Sequence, residues 1–254
     1  ETAVANAGES YDYNPSNWDL NKYVDMSNVY CAVYQEELCG YMAGYAAVKL
    51  GYKNLGFLGG MAVPAVQRYG YGFVQGVDAA AAELGLTAGK LNYYIYGGQF
   101  FGDADITAVM DTWYAGGTEV VFACGGGIYT SAVDAAKKVE GAKVIGVDVD
   151  QHPKIGDTCI TSAMKGLGSA VENALDCYFN GNWASVGGKS EQLGLSQGDY
   201  LGLPTDEASW GFTTFTVDEY ETVLAGIKDG SIAVSNDTEN QPEVGSHVTV
   251  DYVE

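Results

Sequence analysis

The sequence has few basic residues, and this shortage excludes several classes of partner. Its 254 residues contain 12 Lys plus Arg against 33 Asp plus Glu, which gives a formal net charge of −21. Such a chain repels polyanions, so we predict no nucleic-acid partner. Arg68 is the single arginine, and the forked grip that arginine gives a phosphate is almost absent. A phosphorylated ligand is disfavoured for the same reason.

Histidine and cysteine are also scarce, and neither is spaced for chemistry. His152 and His247 stand far apart in the sequence, and no nearby residues complete a metal site or a triad with them. The five cysteines are odd in number and form no C-x-x-C pair, so neither a disulfide framework nor a zinc ribbon is indicated. We predict no metal and no cofactor.

Long apolar runs are missing as well. No run approaches the roughly 18 residues that cross a bilayer, and residues 1–10 lack the basic and apolar regions of a signal peptide. We expect either a soluble intracellular protein or a trimmed one. The 47% hydrophobic and 12% aromatic residues predict a folded globular protein of one large or two small domains.

An alternation of short apolar runs with helical patterns predicts a parallel α/β sheet. The predicted strands are 54–59, 91–96, 119–124 and 143–148. One helix between them starts near Pro64 and ends at Gly85, a second is capped by Asp103, and a third covers 130–140. Their apolar stripes include Leu84, Val109 and Val139. Right-handed crossovers place all four strand carboxyl ends at one edge.

Further elements flank this region. A polar loop is predicted over 1–25, a strand over 28–35 and a helix over 36–50. After an extended segment at 158–162, a helix over 166–179 carries an apolar stripe. The stripe consists of Leu167, Ala170, Val171, Ala174, Leu175 and Tyr178. The tail adds a helix over 218–229 capped by Thr216, and extended pieces at 193–195, 232–234 and 248–253.

The strand ends carry residues suited to a ligand. They read Gly59-Gly60-Met61, Gly97-Gly98, Gly125-Gly126-Gly127 and Asp148-Val149-Asp150-Gln151. Open α/β sheets bind ligands at this edge, and glycine lets the backbone approach them closely. The alternative is that these glycines only form tight turns between strand and helix. A pair of acids at 148 and 150 is weak evidence for a cation site, and we predict none.

The same runs resemble a known family. The residues are Gly56-Phe57-Leu58-Gly59-Gly60-Met61 with Pro64, Gly72-Phe73, Gly76-Val77, Glu119-Val120-Val121-Phe122-Ala123 and Gly125–Gly127. Val144-Ile145-Gly146-Val147-Asp148-Val149-Asp150-Gln151 and Thr161-Ser162-Ala163-Met164-Lys165 complete the pattern. From about residue 28 to 182 the chain resembles the basic membrane protein family, substrate-binding lipoproteins of ABC importers similar to purine nucleoside receptors.

The resemblance implies a type I periplasmic-binding-protein-like α/β fold, a parallel sheet with helices on both faces. It implies a largely complete second lobe over 28–157 and a crossover plus first-lobe helix over 158–186. Residues 1–27 would be a polar loop region from the first lobe or its crossover, and 187–254 a C-terminal crossover and tail. Family members begin with a stretch that builds the first lobe, and this chain is expected to lack it. A missing N-terminal segment or a dimer partner would then cover the 166–179 helix.

Site residues follow from the resemblance. Phe122 matches the aromatic that stacks on the nucleobase, Asp148 the carboxylate that accepts ribose hydroxyls, and Lys165 the lysine that reaches the sugar. Gly126 and Gly127 match glycines whose backbone meets the sugar, and Gly125 forms their turn. Each residue has an ordinary alternative, namely a sheet-core ring, a strand-end cap, a surface lysine and plain turns. Cys124, Tyr69, Tyr71 and Trp113 are read as packing residues.

Two functions remain open at this point. The resemblance implies a non-catalytic extracytoplasmic receptor, lipid-anchored or periplasmic, that binds a nucleoside-like ligand between two lobes and delivers it to an ABC permease and ATPase. The anchor that would tie it to a membrane is not in this sequence. The alternatives are a nucleoside-processing α/β hydrolase and a ligand-sensing receptor. No nucleophile motif, P-loop or G-x-G-x-x-G fingerprint supports an enzyme.

Overall fold

The structure is a computed structural model that describes residues 7–10, 12, 17, 19–86 and 89–253. The predicted polar loop over 1–25 lies partly outside these residues. Two compact units are present. The larger comprises Gln35–Lys165 and Leu201–Glu254, and the smaller comprises Glu1–Tyr34 and Gly166–Tyr200. The chain passes between the two units after Tyr34, Lys165 and Tyr200.

The larger unit is a seven-stranded sheet with helices on both faces. Its strands are β2 (Asn54–Gly59), β3 (Gly89–Tyr96), β4 (Val120–Cys124), β5 (Lys143–Asp148), β6 (Cys159–Lys165), β8 (Leu201–Gly202) and β9 (Val248–Tyr252). Their order is β8-β6-β5-β4-β2-β3-β9, and each pair is parallel except β6 with β8. The predicted α/β class, a largely parallel sheet flanked by helices, is confirmed.

The helices of the larger unit follow the sequence signals closely. They are α1 (Glu36–Lys49), α2 (Pro64–Glu83), α3 (Ala104–Ala115), α4 (Tyr129–Ala136), α5 (His152–Ile155) and α7 (Val217–Asp229). Asp103 caps α3 by accepting a hydrogen bond from the backbone of Ile106. Thr216 and Glu219 form a reciprocal capping box on α7, as its S/T-x-x-E pattern indicates.

Helices α1 and α2 pack closely because glycines on each helix lie directly against the backbone of the other helix. A Cβ on Gly40 would lie 2.1 Å from the Tyr69 carbonyl oxygen, and one on Gly76 would lie 2.0 Å from the Tyr41 carbonyl oxygen. No larger side chain fits at these positions without moving a backbone. The close crossing fixes the first turn of α1 against α2.

The smaller unit contains a two-stranded parallel sheet, formed by β1 (Cys31–Tyr34) and β7 (Ser190–Leu193). Its helix α6 (Leu167–Phe179) shows the predicted amphipathic pattern, yet only Ala170 on it is buried. Val171 is 59% exposed and Leu175 is 49% exposed. The stripe expected to pack on a sheet is therefore a solvent-exposed apolar face.

Several local predictions were wrong. Helix α4 ends at Ala136, four residues before the predicted end, and a turn carries Val139 to the surface. Leu84 and Val109 are also exposed because one follows the last turn of its helix and the other lies at the edge of its stripe. Residues 232–234 form no strand. The segment predicted at 158–162 extends to Lys165 and joins the large sheet as β6.

Candidate functional site at the carboxyl edge of the sheet

The candidate site lies where strands β2 to β6 of the larger unit end. Because these strands are parallel, their carboxyl ends meet at one edge, as predicted. The hydrogen-bond ladder continues beyond the strands, since Gly60 donates to Cys124, Gly98 to Gly60 and Gly127 to Phe100. The edge is thus an ordered platform of backbone.

The glycine run after β4 is required by its surroundings. Gly125 has φ +150° and Gly126 has φ +51°, a region that favours glycine. A Cβ on Gly125 would lie 3.0 Å from the Phe100 ring, and one on Gly126 would lie 2.8 Å from the Phe100 carbonyl oxygen. Gly127 has ordinary space around it. The run therefore does more than form a turn, because it seats the loop after β3.

That loop presents two aromatic rings that sequence reasoning missed. Phe100 is 40% exposed and Phe101 is 61% exposed, although large apolar side chains are usually buried. The Phe100 ring also lies against Gly60, where a Cβ would come within 2.4 Å of it. Gln99 and Asp103 hold the loop through a 2.6 Å hydrogen bond. The signal available in the sequence was an aromatic pair that follows the strand-end glycines Gly97 and Gly98 after a single residue.

Phe122 does not occupy the position expected for a base-stacking ring. Its side chain is fully buried at the centre of the sheet. Its ring centroid lies 5.4 Å from that of Phe57, 5.8 Å from that of Tyr69 and 5.3 Å from that of Phe73. The side chain has no exposed surface, so neither ring face is open to a ligand. The sheet-core alternative describes this residue.

Asp148 ends β5 in a conformation that few residues adopt. Among the described residues it is the one non-glycine with positive φ, at 66°. Aspartate tolerates this region better than most residues, yet it still costs about 1–3 kcal/mol. Its Oδ1 is buried without a hydrogen bond, while the side chain as a whole is 38% exposed. The carboxylate is therefore accessible from solvent and held in a strained backbone.

Lys165 ends β6 beside it and is surrounded by acids. Its Nζ lies 3.3 Å from Asp148 Oδ1 and 3.2 Å from Glu36 Oε1. It also lies 5.2 Å from the centre of the Tyr69 ring. Burial alone would lower the pKa of Lys165, but Glu36 and Asp148 outweigh it, so its pKa is raised above 10.5. The Lys165 side chain is 14% exposed, so its ammonium lies largely enclosed among these groups rather than on the open surface.

Glu36 and Arg68 were not anticipated as part of this cluster. Glu36 Oε2 accepts a hydrogen bond of 2.7 Å from Arg68 Nε, and both residues are buried. Glu37 is buried next to them, and its Oε2 has no hydrogen-bond partner. Burial, the largest cause, raises the pKa of Glu37 to about 7 although Arg68 opposes the shift. Two glutamates in the first turn of a helix are usually exposed to solvent. The sequence therefore gave no indication that Glu36 and Glu37 would be buried.

Asp150 serves the local structure. It accepts hydrogen bonds from the Ser209 hydroxyl at 2.6 Å and from the His152 backbone at 3.0 Å. Across the described residues, no group of three or more metal-ligating side chains comes together. Cys124 is buried, and burial raises the pKa of its thiol well above 9. These residues fit packing and capping roles.

The arrangement can therefore bind a molecule with hydroxyls and a flat apolar part. A charged acceptor and a charged donor lie side by side at strand ends, and exposed aromatic rings follow β3. Hydrogen bonds to charged groups are stronger than those between neutral groups, and stacking adds affinity without requiring a particular base.

No helix in the described part of the chain is long and apolar enough to cross a bilayer.

Comparisons with known proteins identify the family. Residues 14–240 match the family described as "ABC transporter substrate-binding protein PnrA-like". Basic membrane protein B of Borreliella burgdorferi is 31% identical over 180 residues, which are 70% of this chain and 50% of the relative. The Lactococcus lactis protein named "ABC transporter nucleoside-binding protein BmpA" is 28% identical, over 83% of this chain and 61% of its own. The chain thus spans about half to three fifths of these relatives.

Solved structures confirm the predicted type I periplasmic-binding-protein-like fold. An ABC transporter solute-binding protein from Aeropyrum pernix K1 matches with a TM-score of 0.61 at 20% identity, over 82% of this chain and 60% of that one. The resemblance to the basic membrane proteins is confirmed by the family match and by the relatives. The family consists of substrate-binding proteins and not of enzymes. The chain belongs to the PnrA-like, or basic membrane protein, family of ABC transporter substrate-binding proteins.

Proposed function

We propose that this protein binds a nucleoside-like solute, with a purine nucleoside as the first candidate, and delivers it to an ABC importer. Binding proteins of ABC importers work outside the cytoplasm, so we place this one there, lipid-anchored or periplasmic. The proposal is supported by family membership and by the Lactococcus lactis relative, which is named as a nucleoside-binding protein. Its partners would be a permease and an ATPase.

The observation that carries the proposal is the accessible carboxylate of Asp148 beside the ammonium of Lys165. Asp148 holds a positive φ of 66° at the end of its strand. Strained backbone is retained where it serves a function, which favours a binding role over a simple strand-end cap. A sugar hydroxyl can donate to Asp148 and accept from Lys165 at the same time.

Aromatic surface supports the base-binding half of the proposal. Phe100 and Phe101 are exposed on the same sheet edge, and we assign the stacking role that the family resemblance gave to Phe122 to this pair. A stacked base is worth about 1–3 kcal/mol. Gly125 and Gly126 pack tightly against Phe100, Gly127 donates a backbone hydrogen bond to it, and Gly126 is exposed at the same edge.

Charge supports a neutral ligand. Asp148 and Glu36 together balance the two cations Lys165 and Arg68, and Glu37 adds negative charge when it ionises. A phosphate placed there would meet carboxylates with no cation left over. We therefore expect nucleosides to bind and the matching 5′-monophosphates to bind at least about 10-fold more weakly, which corresponds to about 1.4 kcal/mol.

Isothermal titration calorimetry with inosine, guanosine, inosine monophosphate and ribose tests the proposal. We expect inosine or guanosine to bind, and Asp148→Asn to weaken binding by about 1–3 kcal/mol because a neutral amide replaces a charged acceptor. Asp134→Asn on the exposed side of α4 is the matched control and should change nothing. Release of free base from inosine would instead support the hydrolase alternative. Absence of any nucleoside binding by the wild-type protein would contradict the proposed function.

A further inference from the structure

Four charged side chains contact one another in a row that leads from helix α2 to the proposed ligand site. Arg68 donates to Glu36 Oε2 at 2.7 Å, and the other oxygen of Glu36 lies 3.2 Å from Lys165 Nζ. Lys165 in turn lies 3.3 Å from Asp148. Glu36 thus joins the arginine to the lysine, and only the Asp148 end of the chain is open to solvent.

Glu36 is held more firmly than the lysine it contacts. Its side chain is 3% exposed, and it lies in the first turn of α1, where the close glycine packing fixes the helix against α2. Arg68 holds the carboxylate from the other side through the hydrogen bond from its Nε to Glu36 Oε2. Lysine, by contrast, has a long flexible stem that must be ordered before its ammonium can serve a ligand.

We propose that Glu36 is a positioning residue, which holds the ammonium of Lys165 beside Asp148 before a ligand arrives. The inference rests on the proposed function and extends it to a residue that touches no ligand. Ordering a lysine in advance removes an entropy cost from binding. The competing explanation is that Glu36 only neutralises the buried Arg68, since a buried charge without a partner is costly.

A double-mutant cycle separates the two explanations. Inosine affinity is measured for wild type, Glu36→Gln, Lys165→Met and the double variant. If Glu36 acts through Lys165, Glu36→Gln should weaken inosine binding at least about 10-fold in the wild-type background and less than about 3-fold in the Lys165→Met background. Losses that multiply in full would overturn the proposal.

Glu37 provides a matched control. It is the neighbouring glutamate, equally buried, and its Oε2 lies 3.9 Å from Arg68 Nε, whereas the Lys165 ammonium lies 3.2 Å from Glu36. Glu37→Gln should leave inosine affinity within about 3-fold of wild type, because its carboxyl does not hold the ammonium. An equal loss for both glutamine variants would assign the effect to Arg68 or to general packing and would contradict the proposal.

A second measurement does not depend on the ligand. NMR titration of the lysine side chains, with the Lys165 signal assigned by Lys165→Met, reports the pKa of its ammonium. Glu36→Gln should lower that pKa, since Glu36 is the leading cause that raises it. If the wild-type protein binds no nucleoside, the proposed function fails, yet this titration still decides the positioning role. An unchanged Lys165 signal would refute it.

A second variant keeps the test decisive if Glu36→Gln does not fold. Glu36→Gln removes the 2.7 Å partner of the buried Arg68 and leaves Glu37 at 3.9 Å, which can destabilise the larger unit. The variant Glu36→Gln/Arg68→Met removes both members of the 2.7 Å pair, and Lys165 keeps Asp148 as its partner. It should fold, lower the Lys165 pKa and weaken inosine binding as Glu36→Gln does. A folded double variant with wild-type affinity would overturn the proposal.

Discussion

Replacing Phe122 with alanine tests whether this residue is core or ligand site. The ring is fully buried and contacts the rings of Phe57, Tyr69 and Phe73 at centroid distances between 5.3 and 5.8 Å. Removing a buried phenylalanine costs about 3–5 kcal/mol, from lost transfer energy and the remaining cavity. Since whole domains have about 5–15 kcal/mol, Phe122→Ala should remove at least about a fifth of the stability.

Urea unfolding followed by circular dichroism measures this loss, which should appear as a lower midpoint with an unchanged slope. Phe101→Ala is the matched control because it removes the same type of side chain from a position where the ring is 61% exposed. The unfolding free energy of that variant should differ from wild type by no more than about 0.5 kcal/mol. We expect the opposite order for inosine affinity, with Phe101→Ala losing more. A stable Phe122→Ala variant that has lost inosine binding would refute our placement of Phe122 and restore the stacking role.

Three further predictions concern strain, pH and the exposed face. Asp148→Gly should be more stable than Asp148→Ala by about 1 kcal/mol in urea unfolding, because glycine accepts the positive φ; equal stabilities would mean that no strain is stored there. Burial raises the pKa of Glu37 from 4.5 to about 7, so the folded state binds the extra proton and stability should fall by about 3 kcal/mol as pH rises from 4.5 to 7. Glu37→Gln should flatten that slope in unfolding measured across pH, and an unchanged slope would exclude Glu37 as its source. Changing Val171 and Leu175 to serine should alter the unfolding free energy by less than about 1 kcal/mol, because both are exposed, and should reduce self-association in analytical ultracentrifugation.

The sheet was predictable because its signals are local. Strands β2 and β5 were predicted to the residue, since each is a short apolar run bounded by turn residues. The caps at Asp103 and Thr216 depend on residues three apart in sequence, which is why they were found. The end of α4 was missed because its apolar periodicity continues past Ala136 into a turn, and only tertiary packing decides where such a helix stops.

Side-chain roles were harder to predict because they depend on contacts distant in sequence. Phe122 and Phe100 are both aromatic residues near a strand end, and nothing in their local sequence separates them. What separates them is helix α2, which brings Tyr69 and Phe73 against Phe122, while the glycines at 60 and 125 seat the ring of Phe100 on the surface. Burial at these positions is a property of the assembled layers.

The burial of the acids near Lys165 could not be predicted from the sequence either, because it depends on how the helices pack. From the sequence, Glu36 and Glu37 look like the solvated first turn of a helix, where acids favour the helix dipole. In the fold they are buried, because α1 starts beneath the end of β6 and crosses α2 where glycines let the backbones touch. A chain with a net charge of −21 and one arginine places that arginine between these two buried acids. Since buried charges are retained only with partners, the cluster must form together. Its ligand-facing end, Asp148, is linked through Lys165 to Glu36, a residue over a hundred positions earlier in the sequence.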